Sequence, residues 1–117
     1  MSENFLKTFP LFYIIFMFVA FYSWHIKEGL EQQFIDAWSE VTAYYVEHFD
    51  SLGSRLHRGN DGLFYGYAQW KSAEQRENAF QITTESEAGK LMSEAIAESL
   101  PEIILELVSD FLILPEK

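Results

Sequence analysis

His57 is the residue of this chain whose type best suits general base catalysis. An unperturbed imidazole titrates near neutral pH, so it can accept and return a proton under physiological conditions. Arg55 shares a face of the predicted strand with His57, and its positive charge would depress the pKa of the imidazole. The alternative is a surface or interface histidine in a hairpin. His25 and His48 fall at the ends of predicted elements, where we expect solvated side chains.

A second pattern indicates a small binding pocket. Alternate residues of a predicted strand point to one face of the sheet, and here they are Phe64, Gly66, Ala68 and Trp70. The two small residues between the two large ones would leave a hollow beneath the helices, and an apolar hollow is a usual site for a small ligand. The alternative is that large side chains fill the hollow. The side chains that would line or fill it are Trp38, Phe80 and Met92.

The composition excludes several classes of site. The chain of 117 residues has no cysteine, so it can form neither a disulfide, nor a thiolate metal site, nor a cysteine nucleophile. No two histidines have the spacing of a metal pair, and we predict no metal site. The net charge of −10 disfavours a phosphate backbone, so we expect no nucleic-acid partner. The absence of cysteine fits a reducing compartment, and we expect a cytoplasmic protein.

Most of these residues lie in or beside a predicted β-hairpin. Two half-apolar runs, residues 52–58 and 63–70, flank a Gly-Asn-Asp-Gly sequence at 59–62. These four residues tolerate positive φ, as a hairpin turn requires. Ser72 is well placed to cap a helix over residues 72–81. The pattern therefore predicts a strand, a tight turn, a second strand and a short helix.

The flanking segments complete a β-α-β-β-α-β order. Aromatic and β-branched residues predict the first strand, and apolar spacings of three and four predict two further helical stripes. The predicted elements are a strand over 17–26, a helix over 30–48, a helix over 88–96 that Pro101 stops, and a strand over 103–113. This is the order of a ferredoxin-like α+β fold, an antiparallel four-stranded sheet with helices on one face. We predict one such domain over residues 17–117.

Both faces of the predicted sheet are apolar. The first strand carries Val19 and Phe21 on one face and Tyr22 and Trp24 on the other, and the last strand is mostly apolar. A sheet with one face in water should alternate apolar and polar residues. Because the helices can cover only one face, we expect a homodimer in which two sheets pack face to face. The alternative is a monomer with an exposed apolar sheet.

Residues 1–16 form a hydrophobic N-terminal arm. The apolar run from residue 9 to residue 24 is shorter than the roughly 20 residues of a membrane-spanning helix, and it contains Pro10. Three interpretations stay open: an arm before the first strand, an upstream extension of a reading frame that starts at Met17, and a membrane or export segment. We favour the first and expect no membrane partner. The arm would then form an added edge strand or a clasp on a partner subunit.

The hairpin sequence resembles the antibiotic biosynthesis monooxygenase family of dimeric α/β-barrel proteins. The residues that carry the resemblance are 52–58, Asp61-Gly62 and 67–70, with further matches at 17–20 and 29–38. The resemblance covers about residues 17–113 and leaves the arm outside. It implies a ferredoxin-like fold and assembly into a dimeric α/β barrel.

The resemblance also implies a reaction and a set of site residues. Anthrone-oxidising members of the family use no metal or flavin, and the positions of their pocket histidine and tryptophan match His57 and Trp70 here. The family's asparagine, tyrosine and arginine positions correspond to Gly66, Arg76 and about Met92, so three polar groups have changed. A heme-degrading activity would need a histidine on the last helix, which this chain lacks.

These matches imply a monooxygenase without a cofactor that oxidises a small aromatic or quinol-like molecule with O2. Trp70 would stack on the ring of the substrate and exclude water, His57 would accept its proton, and Arg76 would pair with its anion. The alternative is a non-enzymatic dimer of the same fold that binds a small ligand or a partner. Both functions use the same hollow.

Overall fold

The structure, a computed structural model, describes residues 18–83, 85–113 and 115. The N-terminal arm predicted over residues 1–16 lies outside the described residues. The elements in chain order are β1 (Phe18–Ile26), α1 (Glu31–Phe49), β2 (Ser54–Arg58), β3 (Phe64–Trp70), α2 (Ala73–Thr83), α3 (Glu87–Ala95), β4 (Ile96–Ser99) and β5 (Ile103–Leu105). No helix of the described part of the chain is long and apolar enough to cross a membrane.

The five strands form one antiparallel sheet in the order β2-β3-β1-β4, and β5 also pairs with β1. This order and the helices on one face confirm the predicted ferredoxin-like α+β fold. β1 is the central strand because β3 covers one of its edges and β4 and β5 share the other. A dimeric barrel of two such sheets stays a prediction.

Apolar residues on the helical face of the sheet build the core. Trp24 of β1 and Phe64 of β3 lie opposite each other in the strand register, and Phe34 of α1 packs its ring edge against both. Phe34 is completely buried, as the predicted apolar stripe of this helix requires. The helix ends at Phe49, and the following residue Asp50 caps it with a left-handed φ of 56° and an N–H that donates to the carbonyl of Tyr45.

Serine side chains begin the two shorter helices. Ser72 accepts a hydrogen bond from the N–H of Gln75 at 3.1 Å, which confirms its predicted capping role in α2. Ser86 accepts a bond of 3.0 Å from the N–H of Gly89 and caps α3 in the same way. The predicted hairpin turn is also confirmed, since Gly62 has a φ of +86° and its N–H donates to the carbonyl of Gly59.

The end of the chain differs from the prediction. Ile96, predicted as the last residue of a helix, is the first residue of β4, and the strand predicted over residues 103–113 is only β5. Two short strands pair along the same edge of β1, β4 before Pro101 and β5 after it. Proline has no N–H to donate to a strand ladder, so the pairing breaks there and resumes at Ile103.

Candidate active site

A cavity of about 280 Å³ lies between the helical face of the sheet and the helices. Every element from β1 to α3 contributes to its wall, so its shape depends on the whole fold. The lining residues are Tyr22, Trp24, Trp38, Val41, Thr42, Tyr45, Ser51, Ser54, Ala68, Trp70, Phe80, Gly89, Met92 and Ser93. None of these residues is charged, although the chain as a whole has a net charge of −10.

Six of the fourteen lining residues are aromatic. The ring centroid of Trp70 is 5.4 Å from that of Tyr45 and 6.1 Å from that of Phe80, with the Phe80 ring edge-on at 84°. On the neighbouring strand, the rings of Tyr22 and Trp24 stack with centroids 5.7 Å apart. Fixed rings at these spacings offer flat faces and edges on which an aromatic ligand can stack.

The predicted hollow is present over one of the two small residues. Ala68 lines the cavity beside Trp70, whereas the space over Gly66 is taken by Trp24. A Cβ atom on Gly66 would lie 2.8 Å from Cη2 of the Trp24 ring. Phe64 packs against Phe34 in the core and does not line the cavity.

The helical residues predicted beside the hollow fall on its wall. Trp38 of α1 and Met92 of α3 both line the cavity, as does Phe80 of α2. They surround the space and leave it open. Of the five predicted pocket residues, Trp38, Ala68 and Met92 therefore lie at the cavity, and Phe64 and Gly66 do not.

His57 lies on the other side of the sheet. It is exposed, and its register partner is Tyr65, whose neighbours Phe64 and Gly66 face the helices. Because successive side chains of a strand point to opposite faces, His57 and Trp70 cannot meet within one chain. The structure does not bring together the two residues that were predicted to act on one substrate. His57 lies instead beside a groove along the edge strand β2, with Arg55 and Arg58.

Arg76 reaches the cavity through Tyr22. Its Nη1 atom is 3.5 Å from the hydroxyl oxygen of Tyr22 and 2.6 Å from Oε2 of Glu102. The guanidinium carbon also lies 5.6 Å from the ring centroid of Phe80. The side chain of Arg76 is 15% exposed, so its charge is largely withdrawn from water and compensated by Glu102.

Burial keeps the phenol of Tyr22 protonated. Burial is the main cause that raises the pKa of Tyr22 to about 12. Arg76 lowers this pKa, and Glu102 raises it by a smaller amount. Burial alone would lower the pKa of Arg76, but its hydrogen bonds to Glu102 and Tyr22 outweigh burial and raise it. The pair Tyr22–Arg76 is therefore a neutral hydroxyl held by a permanent cation.

The buried side chain of Trp70 carries a hydrogen-bond donor. Its side chain is 1% exposed, and its indole N–H has no hydrogen-bond partner among the described residues. A buried donor without a partner costs about 1–3 kcal/mol. Packing explains the burial of the ring, but stability alone does not explain the choice of an indole over a phenyl ring at this position.

Tyr22 and Glu102 were not predicted as site residues. Alternation along β1 could have placed Tyr22 on the helical face with Trp24, but no pattern marks Glu102, which follows a proline between two short strands. The described residues contain no group of three His, Asp or Glu side chains that could hold a metal ion. The side chains that line the cavity offer hydrogen bonding, stacking and exclusion of water.

No protein-family profile matches the sequence, and no curated protein does either. Solved structures match the fold. A candidate antibiotic biosynthesis monooxygenase from Bordetella bronchiseptica is 19% identical, with a TM-score of 0.69 over 80% of this chain and 98% of that one. A second such protein, from Caulobacter crescentus, is 14% identical, with a TM-score of 0.69 over 92% of this chain and 100% of the other.

SnoaB, a cofactor-independent oxygenase from Streptomyces nogalater, is 13% identical and has a TM-score of 0.64. The match covers 86% of this chain and 98% of SnoaB. These identities are low, so the likeness concerns the arrangement of strands and helices. The chain shares its fold with proteins named as antibiotic biosynthesis monooxygenases, as the sequence resemblance implied.

Proposed function

We propose that the cavity binds one small aromatic, quinol-like molecule and that the protein oxidises this molecule with O2 without a cofactor. The observation that carries the proposal is the aromatic wall around Ala68 and Trp70. The cavity volume of about 280 Å³ is near the lower end of the volumes of ligand pockets, which suits a single small ligand.

The reaction class draws support from the fold, which SnoaB shares. A substrate with an activated methylene group can supply all the electrons itself: one methylene carbon and one O2 molecule give one carbonyl group and one water. The substrate loses one proton to become an electron-rich anion, the anion passes an electron to O2, and the two radicals join as a peroxide. Loss of the remaining proton at carbon and cleavage of the O–O bond then give the carbonyl, and the departing oxygen takes up the two protons lost from the carbon and leaves as water.

The residues of the cavity would hold the substrate and stabilise charge. Trp70, Tyr45 and Phe80 provide the stacking surfaces and keep water from the peroxide. Tyr22 can donate a hydrogen bond to the oxygen on which negative charge develops. Since none of the described lining residues is ionised, we expect no side chain of the lining to act as the base, so the rate should follow the ionisation of the substrate.

Oxygen uptake after anaerobic binding tests this function. A hydroxyanthrone is mixed with the protein without oxygen, binding is followed by quenching of tryptophan fluorescence, and oxygen is then admitted and its uptake recorded. All three tryptophans line the cavity, so quenching reports on it directly. We expect binding followed by uptake faster than in buffer.

Two variants locate the reaction. Ala68→Leu places a larger side chain in the cavity and should abolish binding and uptake, with circular dichroism as the check on folding. His57→Ala should retain both, because His57 lies on the other face of the sheet. Loss of uptake in His57→Ala with a normal rate in Ala68→Leu would contradict the placement of the site.

A second function, ligand binding without catalysis, is favoured by a specific observation. The described lining offers no ionised group to take up the substrate proton, and Glu102 already compensates the charge of Arg76. In that case the same experiment gives quenching without oxygen uptake above buffer. The absence of quenching would contradict both functions.

A further inference from the structure

The hydroxyl of Tyr22 is the polar group of the cavity that is tied to a charged side chain. Its oxygen accepts a hydrogen bond from Nη1 of Arg76 at 3.5 Å. A phenol can accept and donate at once. Glu102, the acceptor that Arg76 already engages at 2.6 Å, has the smallest effect on the pKa of Tyr22. Tyr22 also has a hydrogen-bonding interaction with Glu102, so a ligand oxygen receives the Tyr22 proton only when it offers a better-placed acceptor than Glu102.

Arg76 cannot serve an anionic ligand directly. Its charge is compensated by Glu102 at 2.6 Å, and Arg76 itself does not line the cavity. A carboxylate in the cavity would lose its hydration and meet no cation among the described lining residues, at a cost that an uncharged oxygen does not incur. The arrangement therefore discriminates by charge.

We propose that the Tyr22 hydroxyl donates a hydrogen bond to an uncharged oxygen atom of the ligand, a hydroxyl or a carbonyl, and that the cavity rejects carboxylates of the same size. This proposal rests on the proposed function and narrows its ligand class. Tyr22 contacts the ligand, while Arg76 and Glu102 are positioning residues. Arg76 holds the phenol oxygen and polarises its O–H bond, and Glu102 cancels the charge that would otherwise attract anions.

Three probes of similar size test the proposal through quenching of tryptophan fluorescence: naphthalene, 1-naphthol and 1-naphthoate. The wild type should bind 1-naphthol more tightly than naphthalene, and naphthoate most weakly. Tyr22→Phe should weaken the binding of 1-naphthol by about threefold to tenfold, as expected for one lost hydrogen bond. It should leave naphthalene unchanged.

Two further variants separate a ligand contact from a structural role. Tyr67→Phe removes a hydroxyl from the opposite face of the sheet and should change no affinity. Glu102→Gln keeps the hydrogen-bonding shape but frees the charge of Arg76, so naphthoate should bind more tightly than in the wild type. A merely structural effect of position 102 would not increase affinity for one probe alone.

The measured affinities separate this proposal from the proposed function. Equal affinities for naphthol and naphthoate in the wild type, or an unchanged affinity for naphthol in Tyr22→Phe, would overturn this proposal and leave the proposed function standing. If none of the three probes binds, the proposed function falls together with it.

Discussion

The ring of Trp24 on β1 packs directly against the backbone of Gly66 on β3. The Trp24 ring lies over Gly66 at a distance that leaves no room for a methyl group, since a Cβ atom would come within 2.8 Å of Cη2 and 3.0 Å of Cζ3. Gly66 is not one of the glycines with positive φ, so backbone strain does not require a glycine there. The contact with Trp24 alone sets the residue type.

Gly66→Ala should therefore lower the free energy of unfolding by about 1–3 kcal/mol, the usual cost of overpacking a core. The measurement is chemical denaturation of the wild type and the variant. The control is the same substitution in a Trp24→Phe background, where the benzo ring of the indole is gone and the cost should disappear. An equal loss in both backgrounds would contradict the role of Trp24.

The sequence predicted the cavity residues whose placement depends on alternation within one element. Ala68 and Trp70 share a face because they lie two apart on a strand, and helical spacing gave Trp38 and Met92. His57 and Trp70 lie on opposite faces of the sheet within one chain, because the face of a residue on β2 depends on its register with β3. In a hairpin the register is set by the turn together with the apolar pattern of both strands, and a shift of one residue exchanges the two faces.

The β2–β3 hairpin is closed by a side-chain contact as well as by its turn. The Tyr65 hydroxyl donates a short hydrogen bond to the Asp61 carboxylate, which also accepts a bond from the N–H of Leu63. These bonds lower the pKa of Asp61, with that to Tyr65 the larger cause, and the bond to Asp61 raises the pKa of Tyr65. The turn is thus sensitive to pH on both sides of neutrality.

The contribution of this contact should be lost at both extremes of pH. A lowered pKa of Asp61 stabilises the fold above about pH 3.9 and is lost as the pH falls through the folded value. A raised pKa of Tyr65 stabilises the fold below about pH 10 and is lost as the pH rises through the folded value. Asp61→Asn should flatten both limbs in a comparison of thermal unfolding against pH, whereas unchanged limbs would show that the contact is not formed in solution.

Among whole elements, the last strand was the hardest to predict. The run after Pro101 is apolar enough for a strand of eleven residues, but only Ile103–Leu105 pairs with β1. In the register of β5 with β1, Leu105 already lies opposite Val19, one residue from the start of β1 at Phe18, so the described part of β1 offers almost no further residue for pairing. Composition indicates which residues favour an extended chain, but it does not show where a partner strand ends.

Within residues 18–113, the helices lie on one face of the sheet, and the opposite face carries apolar side chains. Phe21 and Tyr67 lie opposite each other on this face, and Ile103 continues the row with 52% of its surface exposed. Beyond β5, the side chains of Val108 and Phe111 are 84% and 92% exposed. A monomer rarely exposes this many large apolar side chains to water, so we propose that a second copy covers them.

Light scattering of the full chain in dilute buffer should therefore give twice the chain mass of 13.7 kDa. Phe21→Asp places a charge at the centre of the proposed interface and should shift the species to the monomer. Val46→Asp, the same kind of change at an exposed apolar residue of α1, should remain a dimer. A stable monomer of the wild type would contradict the face-to-face assembly.

The contrast between the uncharged lining of the cavity and the acidic chain around it has a consequence for encounter rates. At a net charge of −10, the surface repels anions over roughly a Debye length, about 10 Å at 0.1 M salt, before they meet the aromatic wall. A neutral aromatic molecule does not experience this barrier. Ionic strength should then change how fast an anion arrives, while the arrival of an uncharged molecule stays limited by diffusion and orientation alone.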